Sequence, residues 1–193
     1  TPEETMAKCV EYFKDKDVEA IGFSCFGPID PDPDSPTYGY VTTTPKPYWA
    51  NYNALGDLKK AFPNTPIAFD TDVNGACLGE VTFGAGKGLK NVVYYTIGTG
   101  VGAGVYVEGN LVHGLVHPEA GHVPLIIRED DPYKGRCPYH GNCLEGMCAG
   151  PAIEDRWGKS AKELPVDHPA WDLEAYYIGQ ALASVVLILS PQK

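Results

Sequence analysis

The residues best suited to chemistry lie between Gly121 and Glu145. Gly121-His122 is followed downstream by Cys137-Pro138-Tyr139-His140-Gly141-Asn142-Cys143-Leu144-Glu145. Cys137, His140 and Cys143 recur every third residue, and His122 offers a fourth donor. Two thiolates and two imidazoles are the ligand set of a structural zinc site. Pro138, Gly141 and Asn142 favour tight turns, which let closely spaced side chains converge on one ion. A Cys137–Cys143 disulfide, or a loop with two idle thiols, is the competing reading. Zinc accounts for both histidines, whereas the disulfide leaves them unexplained. A bound ion would also fix Glu119, His122 and Glu145 in space.

Those three residues form a second constellation. Each carboxylate can accept from two adjacent hydroxyls, so carboxylates beside an imidazole suit a polyhydroxylated ligand. The alternative is that both glutamates orient metal-bound histidines. A third candidate is Asp70-Thr71-Asp72-Val73-Asn74, at the end of a short apolar run and the start of a helical one. A carboxylate there lies at the crevice beyond the strand ends, and Asp72 is placed to take a proton from a substrate hydroxyl. Its commoner use would be to cap the helix. The fourth is Gly98-Thr99-Gly100-Val101-Gly102-Ala103-Gly104. Glycines allow amide N–H groups to approach an anion closely, although a tight hairpin needs the same residues. His113, His117 and His168 receive no role.

The elements that must position these groups alternate along the chain. Pro2-Glu3-Glu4 opens a helix with an acidic start, and Met6, Cys9, Val10 and Phe13 predict its buried stripe. Val18 to Cys25 reads as a strand. The Pro- and Tyr-rich stretch 30–53 is long for a structureless loop, which predicts a short hairpin around Tyr38–Thr44. Asn53–Phe62 reads as a helix, Pro66–Phe69 as a strand and Val73–Phe83 as a helix. Asn91–Ile97 and Val105–Val107 flank the glycines as strands. A dinucleotide-binding pattern would place a helix after such glycines, and none is evident. Pro151–Trp157 and Leu173–Leu189 complete the helices. The last is apolar almost all round near Ala181–Leu189, which predicts burial.

Composition sets outer limits. With 193 residues, 44% of them hydrophobic, the chain can bury a proper core. A net charge of −10 opposes sequence-independent nucleic-acid binding, though not nucleotide binding. No apolar stretch long enough for a membrane span is expected, and no apolar signal core opens the chain. Cys9, Cys25, Cys77 and Cys148 read as packed thiols, which suits a reducing cytoplasm.

Taken in order, Ser24-Cys25-Phe26-Gly27-Pro28-Ile29-Asp30, Thr71-Asp72-Val73-Asn74, Ile97 to Gly104, Pro118-Glu119-Ala120-Gly121-His122 and the Cys137–Glu145 segment resemble the ROK family of bacterial sugar kinases and repressors. Thr43-Thr44-Pro45-Lys46 and the form of the cysteine loop look most like its fructokinases. The resemblance covers essentially the whole chain. It implies an actin-like (ribonuclease-H-like) two-lobed α/β fold, with residues 1–95 in one lobe and 96–193 in the other. It further implies phosphorylation of a hexose, above all fructose, by ATP with Mg²⁺, in a homodimeric cytoplasmic enzyme. Carried over by position, Asp72 is the catalytic base, and Glu119, His122, Glu145, Gly27 and Asn74 bind the sugar. Gly98, Thr99, Gly100 and Gly102 form the phosphate loop, and His122, Cys137, His140 and Cys143 hold a structural Zn²⁺. A sugar-responsive repressor, or glucokinase or mannokinase specificity, is the alternative. Thr71 stands where many members have Asn. The family's N-terminal Asp-x-Gly-Gly-Thr loop and C-terminal Gly-Gly-Gly segment are missing, so the sequence reads as part of a longer protein.

Overall fold

The computed structural model describes residues 1–193, which pack as two units. The first comprises Thr1–Ala76 with Val112–His117, and the second Cys77–Leu111 with Pro118–Lys193. The expected lobe boundary between residues 95 and 96 falls inside a strand. The packed units divide elsewhere, because that strand pairs with the one that follows it.

The first unit opens with α1 (Pro2–Phe13). Thr1 accepts from the Glu4 amide at 3.3 Å while the Glu4 carboxylate receives the terminal ammonium at 3.0 Å, a reciprocal cap. Pro2 sits where its missing N–H costs nothing. Burial follows the line Pro2, Met6, Val10, four residues apart, and α1 lies against α2 along that edge. Cys9 and Phe13, expected in the stripe, are exposed because they fall beside this narrow seam. β1 (Ile21–Cys25) begins three residues later than Val18. A hairpin is present but wider than the one expected around Tyr38–Thr44: β2 (Tyr40–Val41) pairs with β3 (Tyr52–Asn53). Asn53 caps α2 (Ala54–Ala61) by accepting from the Gly56 amide at 2.8 Å. β4 (Ile67–Thr71) runs parallel to β1 in the register Ile21↔Ile67 to Cys25↔Thr71. Met6, Ile29, Val41, Leu55, Leu58 and Phe69 form the core.

The chain enters the second unit within α3 (Asp72–Phe83). There β5 (Val92–Ile97) and β6 (Val101–Val107) make an antiparallel hairpin extended by β7 (Asn110–Leu111). Cys77 and Val81 of α3 pack on Val92. The helices are α4 (Leu144–Cys148), α5 (Gly150–Trp157) and α6 (Ala170–Leu189), and Leu144, Met147, Leu173, Tyr177 and Ala181 form their core.

Two expectations about α6 fail. Its far end is not buried: Leu187 is 86% and Ile188 79% exposed. All-round apolarity states what a helix is able to bury, and here the buried residues of α6 are Ala170, Leu173, Glu174, Tyr177 and Ala181, which meet α4 and α5. The helix is also long and apolar enough by composition to cross a membrane, contrary to the reading that no such stretch exists. That is weak evidence for a span, because its first half is core and carries Glu174 against Arg156.

Candidate functional site

The metal candidate is built within the second unit. His122 ends a single helical turn, Ala120–His122, and Cys143 caps the start of α4. Bridges between Pro124 and Cys143 and between Cys137 and Gly141 fold the loop back on itself. His122 Nδ1 lies 3.5 Å from Cys143 Sγ and 3.7 Å from Cys137 Sγ, and His140 Nδ1 lies 3.7 Å from Cys137 Sγ. All four donor atoms fall within 4.8 Å of one another. Zinc bonds of about 2.3 Å to sulfur and about 2.0 Å to nitrogen place tetrahedral ligands roughly 3.3–3.8 Å apart. The donor set and spacing therefore fit that ion. Both cysteines are free thiols, so the disulfide alternative is not adopted.

Small residues permit this convergence. A Cβ on Gly146 would lie 1.9 Å from the Gly141 carbonyl oxygen, and its N–H points at Cys143 Sγ from 3.4 Å. Burial pushes the Cys143 thiol up to about 11, a cost that a coordinating cation would offset by displacing the proton. The two nitrogens of His122 face different groups. Nδ1 meets the thiols, while Nε2 lies 3.9 Å from Glu119 Oε2. Glu119 and His122 thus share an edge of this unit. Glu145 lies in the first turn of α4, two residues after Cys143, and one of its oxygens is engaged: Oε2 accepts from the Val101 amide at 3.0 Å.

That bond alters the expected phosphate loop. Only Gly98–Gly100 form the turn, and β6 resumes at Val101, with Gly102 opposite Thr96 in the ladder. Gly98 donates to the Gly100 carbonyl at 2.8 Å and accepts from Gly150 at 2.7 Å. Gly102 is therefore strand, not loop, and the Thr99 and Gly100 amides are the turn's remaining donors. A pocket of about 300 Å³ adjoins it, lined by Thr99, Arg136, Cys137, Pro138, Glu145 and Ala149. Strand, glycine turn and strand were legible in the sequence, and no helix follows.

Asp72 belongs to the first unit. Parallel pairing of β1 with β4 brings Phe26 and Asp72, the residues just past Cys25 and Thr71, to the same strand ends. Capping of α3 falls to Thr71, whose hydroxyl accepts from the Asn74 amide at 3.1 Å. Asp72 accepts only from its neighbour Val73, at 2.9 Å, and remains exposed. Thr71 itself is 2% exposed, so its hydroxyl is an internal group.

Asn74, grouped with the sugar ligands on sequence, is wholly buried. It donates to Asp70 Oδ1 at 2.8 Å, and Asp70 Oδ2 meets His113 Nε2 at 2.8 Å. The bond from Asn74 orients Asp70. Gly27 follows β1, and a Cβ there would come within 3.0 Å of the His117 ring. His117 Nε2 accepts from the Ile29 amide at 3.3 Å. Both histidines had no role on sequence. Their partners lie 43 and 88 residues away, a distance that no local pattern signals.

A ROK family profile matches residues 1–193. The chain is 52% identical over 192 residues to a putative fructokinase of Bacillus subtilis (strain 168), covering all of this chain and 64% of that protein. It is 47% identical over 193 residues to a fructokinase of Pediococcus pentosaceus, covering 67% of it. The chain thus spans about two thirds of the length of these relatives. A ROK hexokinase from Thermus thermophilus superposes with TM-score 0.78 at 27% identity, covering 98% of this chain and 67% of that one. The mixed α/β architecture and this likeness bear out the expected actin-like fold, present here in part. On a match that runs from its first residue to its last, the chain belongs to the ROK family.

Proposed function

We propose that the protein phosphorylates a hexose with ATP, and that the hexose is fructose. One observation carries the chemistry: Asp72 stands exposed at the ends of two parallel strands, relieved of helix capping by Thr71. The acceptor is supported by five relatives named fructokinase or putative fructokinase at 43–52% identity. The fold does not choose between kinase and repressor, since it is shared with a ROK transcriptional regulator (TM-score 0.75, 22% identity). What favours the kinase is the set of relatives named fructokinase, together with a carboxylate at Asp72 whose one hydrogen bond is to the neighbouring Val73 amide.

In this reading Asp72 accepts the proton of the primary hydroxyl as that oxygen attacks the γ-phosphorus and the bond to ADP breaks. Glu119, His122 through Nε2, and the open oxygen of Glu145 bind sugar hydroxyls. The Thr99 and Gly100 amides donate to phosphate oxygens. Mg²⁺ bound with ATP would supply neutralisation of phosphate charge. His122, Cys137, His140 and Cys143 would hold a zinc ion, which would supply rigidity to the loop leading into α4 and Glu145. Homodimer formation and a cytoplasmic location accompany the same reading.

The test is an ADP-release assay on the complete protein with fructose, glucose, mannose and N-acetylmannosamine. Fructose should give the highest kcat/KM, and ADP release without sugar should be negligible. Sugar-independent ADP release, or none with any hexose, would overturn the proposal.

A further inference from the structure

Lys46 lies in the stretch between β2 and β3, and its placement is specific. Thr42 ties the start of that stretch to the loop after β1, donating through both its amide (2.8 Å) and its hydroxyl (3.1 Å) to the Pro28 carbonyl. Asn51 closes the far end by donating to the Thr42 carbonyl at 3.1 Å. Tyr48 and Asn51 take left-handed backbone angles, φ 71° and 59°, which few non-glycine residues adopt without a surrounding reason. The loop so folded stands Trp49 edge-on to Phe26, ring centroids 5.0 Å apart, and sets the Lys46 ammonium 3.4 Å above the centre of the Phe26 ring.

Phe26 is the residue after β1, and Asp72 is the residue after β4 in the adjoining parallel strand. The ammonium therefore hangs over the strand ends that carry the base. The Cys25 thiol, buried at the end of β1, feels both charges. Burial raises it to about 11, with Asp72 adding to the rise and Lys46 opposing it. Yet Lys46 makes no ion pair with Asp72 or any other carboxylate; its partner is the aromatic face. A cation–π seat contributes only about 0.5–1 kcal/mol at an exposed site, so it fixes direction without satisfying the charge. The three ammonium donors stay available to an anion.

We propose that Lys46 is the phosphoryl-contacting cation of the first unit, recognising the phosphate of the hexose 6-phosphate as it forms. The inference rests on the hexose-kinase reading and deepens it. In the transfer the sugar oxygen–phosphorus bond forms, the bond to the ADP oxygen breaks and the hydroxyl proton passes to Asp72. Lys46 stays protonated throughout and gains charge-assisted hydrogen bonds to the oxygens of the transferred group. Neutral sugar offers it nothing comparable, so it discriminates product and transition state from substrate.

Calorimetric titration of the complete protein with fructose and with fructose 6-phosphate separates these states. Lys46→Met should leave fructose affinity within about twofold and weaken fructose 6-phosphate about tenfold or more, the loss of one charge-assisted hydrogen bond. Lys46→Arg should keep most of the phosphate preference. Phe26→Leu, which removes the seat but not the charge, should give an intermediate loss. Equal weakening of both ligands in Lys46→Met, or no change in either, would overturn the assignment. If the unaltered protein binds neither ligand, the kinase reading itself fails and this inference with it.

Discussion

Asp72 illustrates how far a residue type fixes a role. Asp at the start of a helix usually caps it, and the sequence left base and cap both open. The hydroxyl of Thr71 decides between them by taking the Asn74 amide. The buried Thr71 hydroxyl thus serves the helix. Replacing Asp72 by Asn keeps its size and its reach to the Val73 amide but removes the basic oxygen. Turnover in the complete protein should fall by about 10²–10⁴-fold, the usual contribution of a positioned base. Fructose affinity should persist, and stability should change by less than about 0.5 kcal/mol, as for an exposed site. Steady-state kinetics and sugar titration together check this, and near-normal turnover would remove Asp72 from the mechanism. His113 and His117 were invisible at this scale because their partners are remote in sequence.

At the scale of elements, period and punctuation carried most of the information. The helices at 54–61, 72–83 and 150–157 and the 92–107 hairpin lie within a few residues of their expected bounds. What the pattern did not convey was where β6 restarts, because Val101 to Gly104 reads as loop by composition. The Glu145 carboxylate pins the Val101 amide and starts the strand there. The cysteine loop was legible because its donors lie close together. Its stability, however, depends on the ion: with two thiols buried and no extended strand of its own, the loop has little else to hold it. Structural zinc supplies on the order of 10 kcal/mol of folding free energy in small sites. Cys143→Ser should therefore lose the metal, lowering zinc from about one per chain to well below stoichiometric by elemental analysis. Losing even about 3 kcal/mol lowers Tm by roughly 6–12 °C in a domain of this size. Because Cys143 is two residues from Glu145, sugar affinity should drop as well. Unchanged Tm with unchanged metal content would refute the site. Gly146→Ala makes the same point without touching a ligand. Its methyl group would collide with the Gly141 carbonyl and should lower zinc occupancy and Tm together.

For the molecule as a whole, hydrophobic patterning said which faces are able to be buried but not which of them meet a partner, as Cys9 and the end of α6 show. It was equally silent about a buried charge cluster in the second unit. Arg156, its side chain 7% exposed, lies 3.3 Å from Asp131 and 3.4 Å from Glu174 and stands over the rings of Tyr133 and Tyr177. Tyr177 donates to Asp131 at 2.7 Å. One guanidinium faces two carboxylates, so one of the acids is under-compensated. Burial raises Glu174 from 4.5 to about 7, and hydrogen bonding to Cys148 and attraction to Arg156 only partly oppose the rise. The unfolded chain releases the Glu174 proton near 4.5 while the folded chain retains it until near 7. Between those values the folded state binds more protons, so this group's contribution to stability declines as pH rises and levels off above about 7. Glu174→Gln keeps a neutral acceptor for Arg156 and cannot ionise. Urea unfolding between pH 4.5 and 8 should then show a variant whose stability relative to the unaltered protein improves steadily up to about pH 7 and is constant beyond. A difference that does not vary with pH would mean that Glu174 is ionised in the fold, with Arg156 balancing both acids at once.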